Sequence, residues 1–107
     1  MKYSIIISPN HKNSNAVDHA MRFIGSILKQ DASIVSVFFY GYAVENAFVF
    51  DSQWQKISEQ DVLLYACSNI ADNYLNQQKK VAEYIDLVGL GQWMESVYDA
   101  NKSIEFR

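Results

Sequence analysis

Apolar positions along the chain switch repeatedly between continuous runs and helical spacing. Tyr3–Ser8 (YSIIIS) is a short β-branched run stopped by Pro9-Asn10, and it reads as a strand buried on both faces. From Ala16 to Lys29, Val17, Ala20, Met21, Ile24, Ile27 and Leu28 fall at i, i+3, i+4, i+7, i+10 and i+11. That spacing is one stripe of a helix. Ser14 or Asn15 is its expected N-cap, and Asp18 stands near the positive end of its dipole. Ser33–Tyr40 (SIVSVFFY) reads as the second strand, broken by Gly41. Tyr42–Phe50 fits either a short helix or an irregular apolar loop. Asp51–Gln60 predicts a short helix capped by Asp51 or Ser52 that packs Trp54 and Ile57. Val62–Ala66 (VLLYA) is a third strand. Cys67 then opens a segment in which Ile70, Ala71, Tyr74 and Leu75 share a helical face. Asn76–Lys80 is a polar, solvated connection, and Tyr84–Val88 is a fourth strand. Gly89-Leu90-Gly91 turns the chain into a helix with packing residues Trp93, Met94 and Val97, and Ser103–Phe106 is a closing strand.

Strands separated by helices are βαβ units with right-handed crossovers. The expected fold is therefore α/β: one domain, a three-layer sandwich with a mostly parallel sheet of four or five strands flanked by helices. The 107 residues suffice for one core and not for two, and there is no internal repeat, low-complexity tract or linker.

Composition narrows the functional classes. Half the residues are hydrophobic, which excludes a disordered chain. A net charge of −3 offers no footprint for a phosphate backbone, so no direct nucleic-acid partner is expected. The longest apolar runs, Ile5–Ile7 and Val37–Tyr40, fall far short of the roughly 20 residues that span a bilayer, so no membrane partner is expected. One cysteine excludes an internal disulfide framework; with no secretion signal at Met1, the expected compartment is the cytoplasm. Seven Tyr, six Phe and two Trp are more than a core of this size encloses, and Tyr42, Phe48 or Phe50 is expected at a subunit interface.

In an open parallel sheet, ligands gather outside the carboxyl ends of the strands. Three loops qualify: Pro9–Asn15, Gly41–Asn46 and the exit of the third strand at Cys67. The first has no glycine, and Gly89-Leu90-Gly91 lacks the third glycine of a dinucleotide fingerprint, so no nucleotide cofactor is expected. His11 and His19 lack a third histidine or a supporting cysteine, so no metal site is expected either. Cys67 is the candidate nucleophile. The start of a helix favours the thiolate, the form that attacks sulfur. The alternative is that Cys67 is a small core hydrophobe. Tyr40, Tyr42 and Asn46 can wall a pocket near the second strand's end; Tyr40 and Tyr42 equally suit a subunit interface. The aromatic run they belong to is otherwise core.

Three stretches carry a resemblance to the DsrE/TusD sulfur-relay proteins. Ser36–Ala47 (SVFFYGYAVENA) is similar to that family's second strand and following loop. Val62–Ala71 (VLLYACSNIA) resembles the short strand that delivers the active cysteine to a helix start. Gly89–Phe106 (GLGQWMESVYDANKSIEF) resembles the C-terminal turn, helix and last strand. The resemblance implies a DsrE-like, flavodoxin- or Rossmann-like fold, with Cys67 as the catalytic persulfide carrier and Tyr40 and Asn46 near the pocket. It further implies a sulfurtransferase that takes sulfur from a TusA-like donor and passes it to a TusE/DsrC-like acceptor, for tRNA 2-thiouridine synthesis or sulfur oxidation. Assembly with TusB- and TusC-like subunits, or as a homo-oligomer, belongs to the same expectation. The connection from Cys67 to Gly89 is shorter than in typical TusD proteins, which bears on the partner surface. Two other classes fit the same residues: a non-catalytic assembly subunit with a buried cysteine, and a small-molecule-binding module of flavodoxin type.

Overall fold

The run SIVSVFF forms the middle strand of the sheet, and its near-continuous burial is what a strand covered on both faces requires. The computed structural model describes all residues, Met1–Arg107. Strands β1 (Lys2–Ile7), β2 (Ser33–Phe39), β3 (Leu63–Cys67), β4 (Asp86–Val88) and β5 (Lys102–Phe106) lie in the order β4-β3-β2-β1-β5. Every pairing is parallel. The helices are α1 (Ala16–Leu28), α2 (Ser52–Ser58), α3 (Ser68–Leu75) and α4 (Leu90–Tyr98). The chain is thus a single α/β domain of five parallel strands flanked by helices, as the alternating periods predict.

The ambiguous segment after β2 is a 3-10 turn, Gly41–Ala47. It buries Ala43, Val44 and Ala47, three small side chains suited to its tight backbone. Gly41 starts it at a φ of +59°, a conformation that side-chain-bearing residues rarely adopt. Capping is more local than the sequence implied. Asn15 flanks α1 without a side-chain cap, while the Ser14 hydroxyl accepts from the Ala16 N–H at 3.1 Å. Asp51 caps α2 by accepting from the Gln53 N–H at 2.8 Å.

Residues paired across a parallel ladder point to the same side. Ile7, Phe39 and Ala66 share one face through the Ile7–Phe39 and Phe39–Ala66 pairings. On that face Phe39 meets Trp54 of α2 edge-on, with ring centroids 5.0 Å apart. Phe106, paired with Ile7, meets Phe23 of α1 at 5.7 Å. The opposite face carries Ser4, Ser36, Phe38, Tyr65 and Cys67, and there Phe38 stacks on Trp93 of α4 at 5.3 Å.

This layering follows from topology. β1 to β4 step across the sheet in one direction, so right-handed crossovers put their helices on a common face. α4 must then return along the other face to place β5 beside β1. A single helix about 10 Å wide covers roughly two strands spaced about 4.8 Å apart. The expectation that the first strand is buried on both faces is corrected accordingly. Ile5 and Ile7 are fully buried under α1, whereas Ile6 on the α4 side is only half-buried. Met94 is likewise not the packing residue the sequence implied. It is one 100° step round the helix from Trp93, and it is 40% exposed.

Candidate functional site

Cys67 closes β3 and is also the N-cap of α3, with extended backbone (φ −64°, ψ 118°) and no side-chain cap bond. Its Cα partner is Val88, the last residue of β4. The chain leaves Cys67 towards the α1/α2 face and leaves Val88, through Gly89, towards the α4 face. Neighbouring strands whose exits diverge in this way define the topological switch point, where open α/β sheets bind ligands. Cys67 therefore occupies the carboxyl-end position that the rule singles out. Cys67 is nevertheless only 6% exposed and belongs to the apolar core.

Two cavities open along the carboxyl edge of the sheet, and Tyr40 lines both. The larger, about 540 Å³, lies beyond the ends of β1 and β2 and is lined by Tyr40, Gly41, Tyr42, Ile70, Asn73 and Tyr74 among others. The smaller, about 320 Å³, lies on the α4 face between Ile6, Phe38, Tyr40, Leu90, Trp93 and the Glu105–Arg107 pair. Cys67 lines neither. Asn46 belongs to a separate depression with Glu45 and Val49, and its amide donates to the Ala43 carbonyl at 2.9 Å. The three residues singled out in the sequence thus share one edge of the sheet without sharing a cavity.

Sequence reasoning missed the polar half of the larger cavity. It grouped Ile70 and Tyr74 with Ala71 and Leu75 as one apolar face. Ala71 is fully buried, but Leu75 is 41% exposed. Ile70, Asn73, Tyr74 and Gln77 instead turn towards the cavity, at i, i+3, i+4 and i+7. The same periodicity, followed through polar residues, would have found them.

Electrostatics around these cavities is mild. Burial, with Glu45 nearby, raises the Tyr74 phenol above its ordinary range. Its ring stacks on Phe48 at 4.9 Å, and the Lys79 ammonium stands 5.5 Å from its centre. The Ser8 hydroxyl, and secondarily the Arg107 guanidinium, hold the Glu105 carboxyl below its usual range. Arg107 Nε lies 3.2 Å from Glu105 Oε2, which leaves the rim of the smaller cavity close to neutral. The Trp93 indole N–H on its wall is buried without a hydrogen-bond partner. His11 and His19 are exposed, in a loop and on α1, and no three His, Cys, Asp or Glu side chains gather to hold a metal ion.

The class of molecule is defined by this architecture: a single α/β domain with one five-stranded parallel sheet flanked by helices. Among solved structures, the ychN protein from E. coli superposes with a TM-score of 0.75 at 15% identity, covering 99% of this chain and 100% of that one. A protein of unknown function from Methanobacterium thermoautotrophicum, MTH1491, gives a TM-score of 0.73 at 15% identity, over 97% of each chain. A conserved protein of unknown function from Bacteroides thetaiotaomicron, BT1422, gives 0.65 at 15% identity, over 98% of this chain and 94% of that one. No protein-family model and no curated protein matches the sequence. No helix is long and apolar enough to cross a membrane.

Proposed function

We propose that this chain is a sulfurtransferase subunit of a sulfur relay, with Cys67 as the carrier. The observation that carries the reading is the position of Cys67: last residue of β3, N-cap of α3, at the point where the exits of β3 and β4 diverge. First-turn N–H groups with no side-chain cap favour negative charge there. The Cys67 thiolate attacks the outer sulfur of a donor protein's persulfide. The donor S–S bond breaks, its cysteine leaves as a thiolate, and Cys67 becomes the persulfide. An acceptor thiolate then attacks the same outer sulfur, and Cys67 is released as a thiolate. No net oxidation occurs and no metal or nucleotide is consumed. On this reading the donor is TusA-like and the acceptor TusE/DsrC-like, and the pathway is tRNA 2-thiouridine synthesis in the cytoplasm. Tyr40 and Asn46 flank the approach of the partner. Exposed Val49 and Phe50 supply an apolar surface for TusB- and TusC-like subunits or for further copies of the chain.

The test is intact-mass analysis after incubation with a persulfide donor. The reading expects a gain of about 32 Da per sulfur on the wild-type chain and none on Cys67→Ser. A Ser variant that relays sulfur at the wild-type rate overturns it. A second reading, a non-catalytic assembly subunit, is favoured by the 6% exposure of Cys67. It expects Cys67 to resist both iodoacetamide and the persulfide donor in the folded protein.

A further inference from the structure

We propose that the larger cavity, between the 3-10 turn and α3, binds a small uncharged heteroaromatic molecule of the nucleobase class. Its volume of about 540 Å³ suits a ligand of that size. Ser8 and Pro9 follow β1 and Tyr40 and Gly41 follow β2, so the cavity occupies the carboxyl edge where parallel sheets take ligands. The proposal stands apart from the chemistry of Cys67, which does not reach this wall.

The chemistry of the wall selects the ligand. Tyr40 and Tyr42 are 40% and 55% exposed, flat apolar surfaces left open beside the cavity. Their placement is built into the backbone: the Tyr40 N–H donates to the Ile7 carbonyl at 2.9 Å, and Gly41 between them holds a positive φ. Aromatic rings of this kind stack planar heterocycles of any sequence. Asn73 and Gln77 each bring an amide with both donors and an acceptor, the group that pairs in a bidentate way with the edge of a base. Both residues are exposed, so their amides are open to a ligand. Tyr74 adds a phenolic hydroxyl, a further donor. No Lys, Arg, His, Asp or Glu joins the wall. Lys79 stands outside the wall, its ammonium 5.5 Å from the Tyr74 ring centre. A phosphate placed there would find no cation in the wall itself, so the neutral base or nucleoside is favoured over the nucleotide.

The experiment is calorimetry and saturation-transfer NMR on the full chain with adenosine and riboflavin, each against its phosphorylated form, AMP and FMN. At least one neutral probe is expected to bind with a Kd below about 1 mM, its phosphorylated form at least about tenfold more weakly. Asn73→Ala and Gln77→Ala, both at exposed positions, are each expected to weaken the neutral probe about fivefold or more with unchanged circular dichroism. Absence of binding by both neutral probes, equal or tighter binding of the phosphorylated forms, or full affinity in both variants overturns the proposal. Sulfur transfer by Cys67 is read separately by mass, so failure of one reading leaves the other standing.

Discussion

Phe38 and Phe39 are adjacent in β2 and belong to opposite layers: Phe38 lies 5.3 Å from the Trp93 ring of α4, and Phe39 lies 5.0 Å from the Trp54 ring of α2. One dipeptide thereby fastens the middle strand to both helical layers. The two sides are unequal. Trp54 is fully buried, whereas Trp93 lines a cavity and retains some exposure. Phe39→Ala should therefore leave a void that nothing fills and cost about 4–5 kcal/mol, while Phe38→Ala should cost about 3 kcal/mol. Urea unfolding midpoints at an unchanged slope measure the difference, and the reverse order would show that the α4 layer is the tighter one.

A second asymmetry lies in the hydroxyl chain from β2 to α4. Ser36 Oγ donates to Ser96 Oγ at 2.7 Å, and Ser96 Oγ donates to the Trp93 carbonyl at 2.7 Å. Ser96→Ala strands the Ser36 hydroxyl in a fully buried position, at a cost of about 1–3 kcal/mol. Ser36→Ala leaves Ser96 with its carbonyl acceptor and should cost less, about 1 kcal/mol. Equal losses, or a larger loss for Ser36→Ala, would contradict the donor order.

How much was legible in the sequence depends on whether local pattern or tertiary contact decides a residue. The β-branched runs and the stripe Val17–Leu28 fix strands and α1 without help from the rest of the chain, and these elements stand where the pattern puts them. The sheet order was not legible, because only the return of α4 across the sheet places β5 beside β1. Cys67 was visible as a strand exit. That Val88 ends beside it, making the switch point, needs the β3–β4 register. Asn46 illustrates the opposite limit. Its loop is correctly located, but the tight 3-10 backbone turns its amide back onto Ala43 instead of into the cavities that Tyr40 lines.

Tyr74 carries a pH dependence whose sign follows from its environment. Burial first, and Glu45 second, raise its folded value above the unfolded one near 10. The folded state then holds the phenolic proton more tightly. The associated stability is fully present below about pH 10 and is lost as pH rises through the folded value. Tyr74→Phe should flatten this alkaline limb of the stability curve. Glu45→Gln should move the phenolate absorbance titration only part of the way back, because burial is the larger cause. A complete return in Glu45→Gln would make the charge the dominant effect.

The assembly reading makes a surface prediction. Val49 and Phe50 are 57% and 67% exposed, and Phe50 rests edge-on against Tyr84 with centroids 6.0 Å apart. Light scattering at micromolar concentration is expected to give a particle larger than one chain, and Phe50→Asp is expected to shift it towards the monomer. A wild-type chain that stays monomeric alone and with TusB- and TusC-like partners would remove this surface from the argument.

The mutational test of Cys67 depends on whether its serine variant folds, and the N-cap geometry bears on that. A buried hydroxyl without a partner costs about 1–3 kcal/mol, and Cys67 is buried in the apolar core. The same position is the N-cap of α3, has extended backbone and lacks a side-chain cap bond. Serine is among the best N-cap residues, and its oxygen can accept from the Asn69 or Ile70 N–H for a gain of about 1 kcal/mol. The two effects oppose each other at similar size, so Cys67→Ser should lie within about 1 kcal/mol of the wild type. Cys67→Ala loses the sulfur without gaining a cap, and should be the less stable of the two. Thermal unfolding of the three proteins checks the order. If Ser proves less stable than Ala by more than about 1 kcal/mol, the hydroxyl is uncapped. Cys67→Ala then becomes the sounder control for the sulfur-transfer experiment.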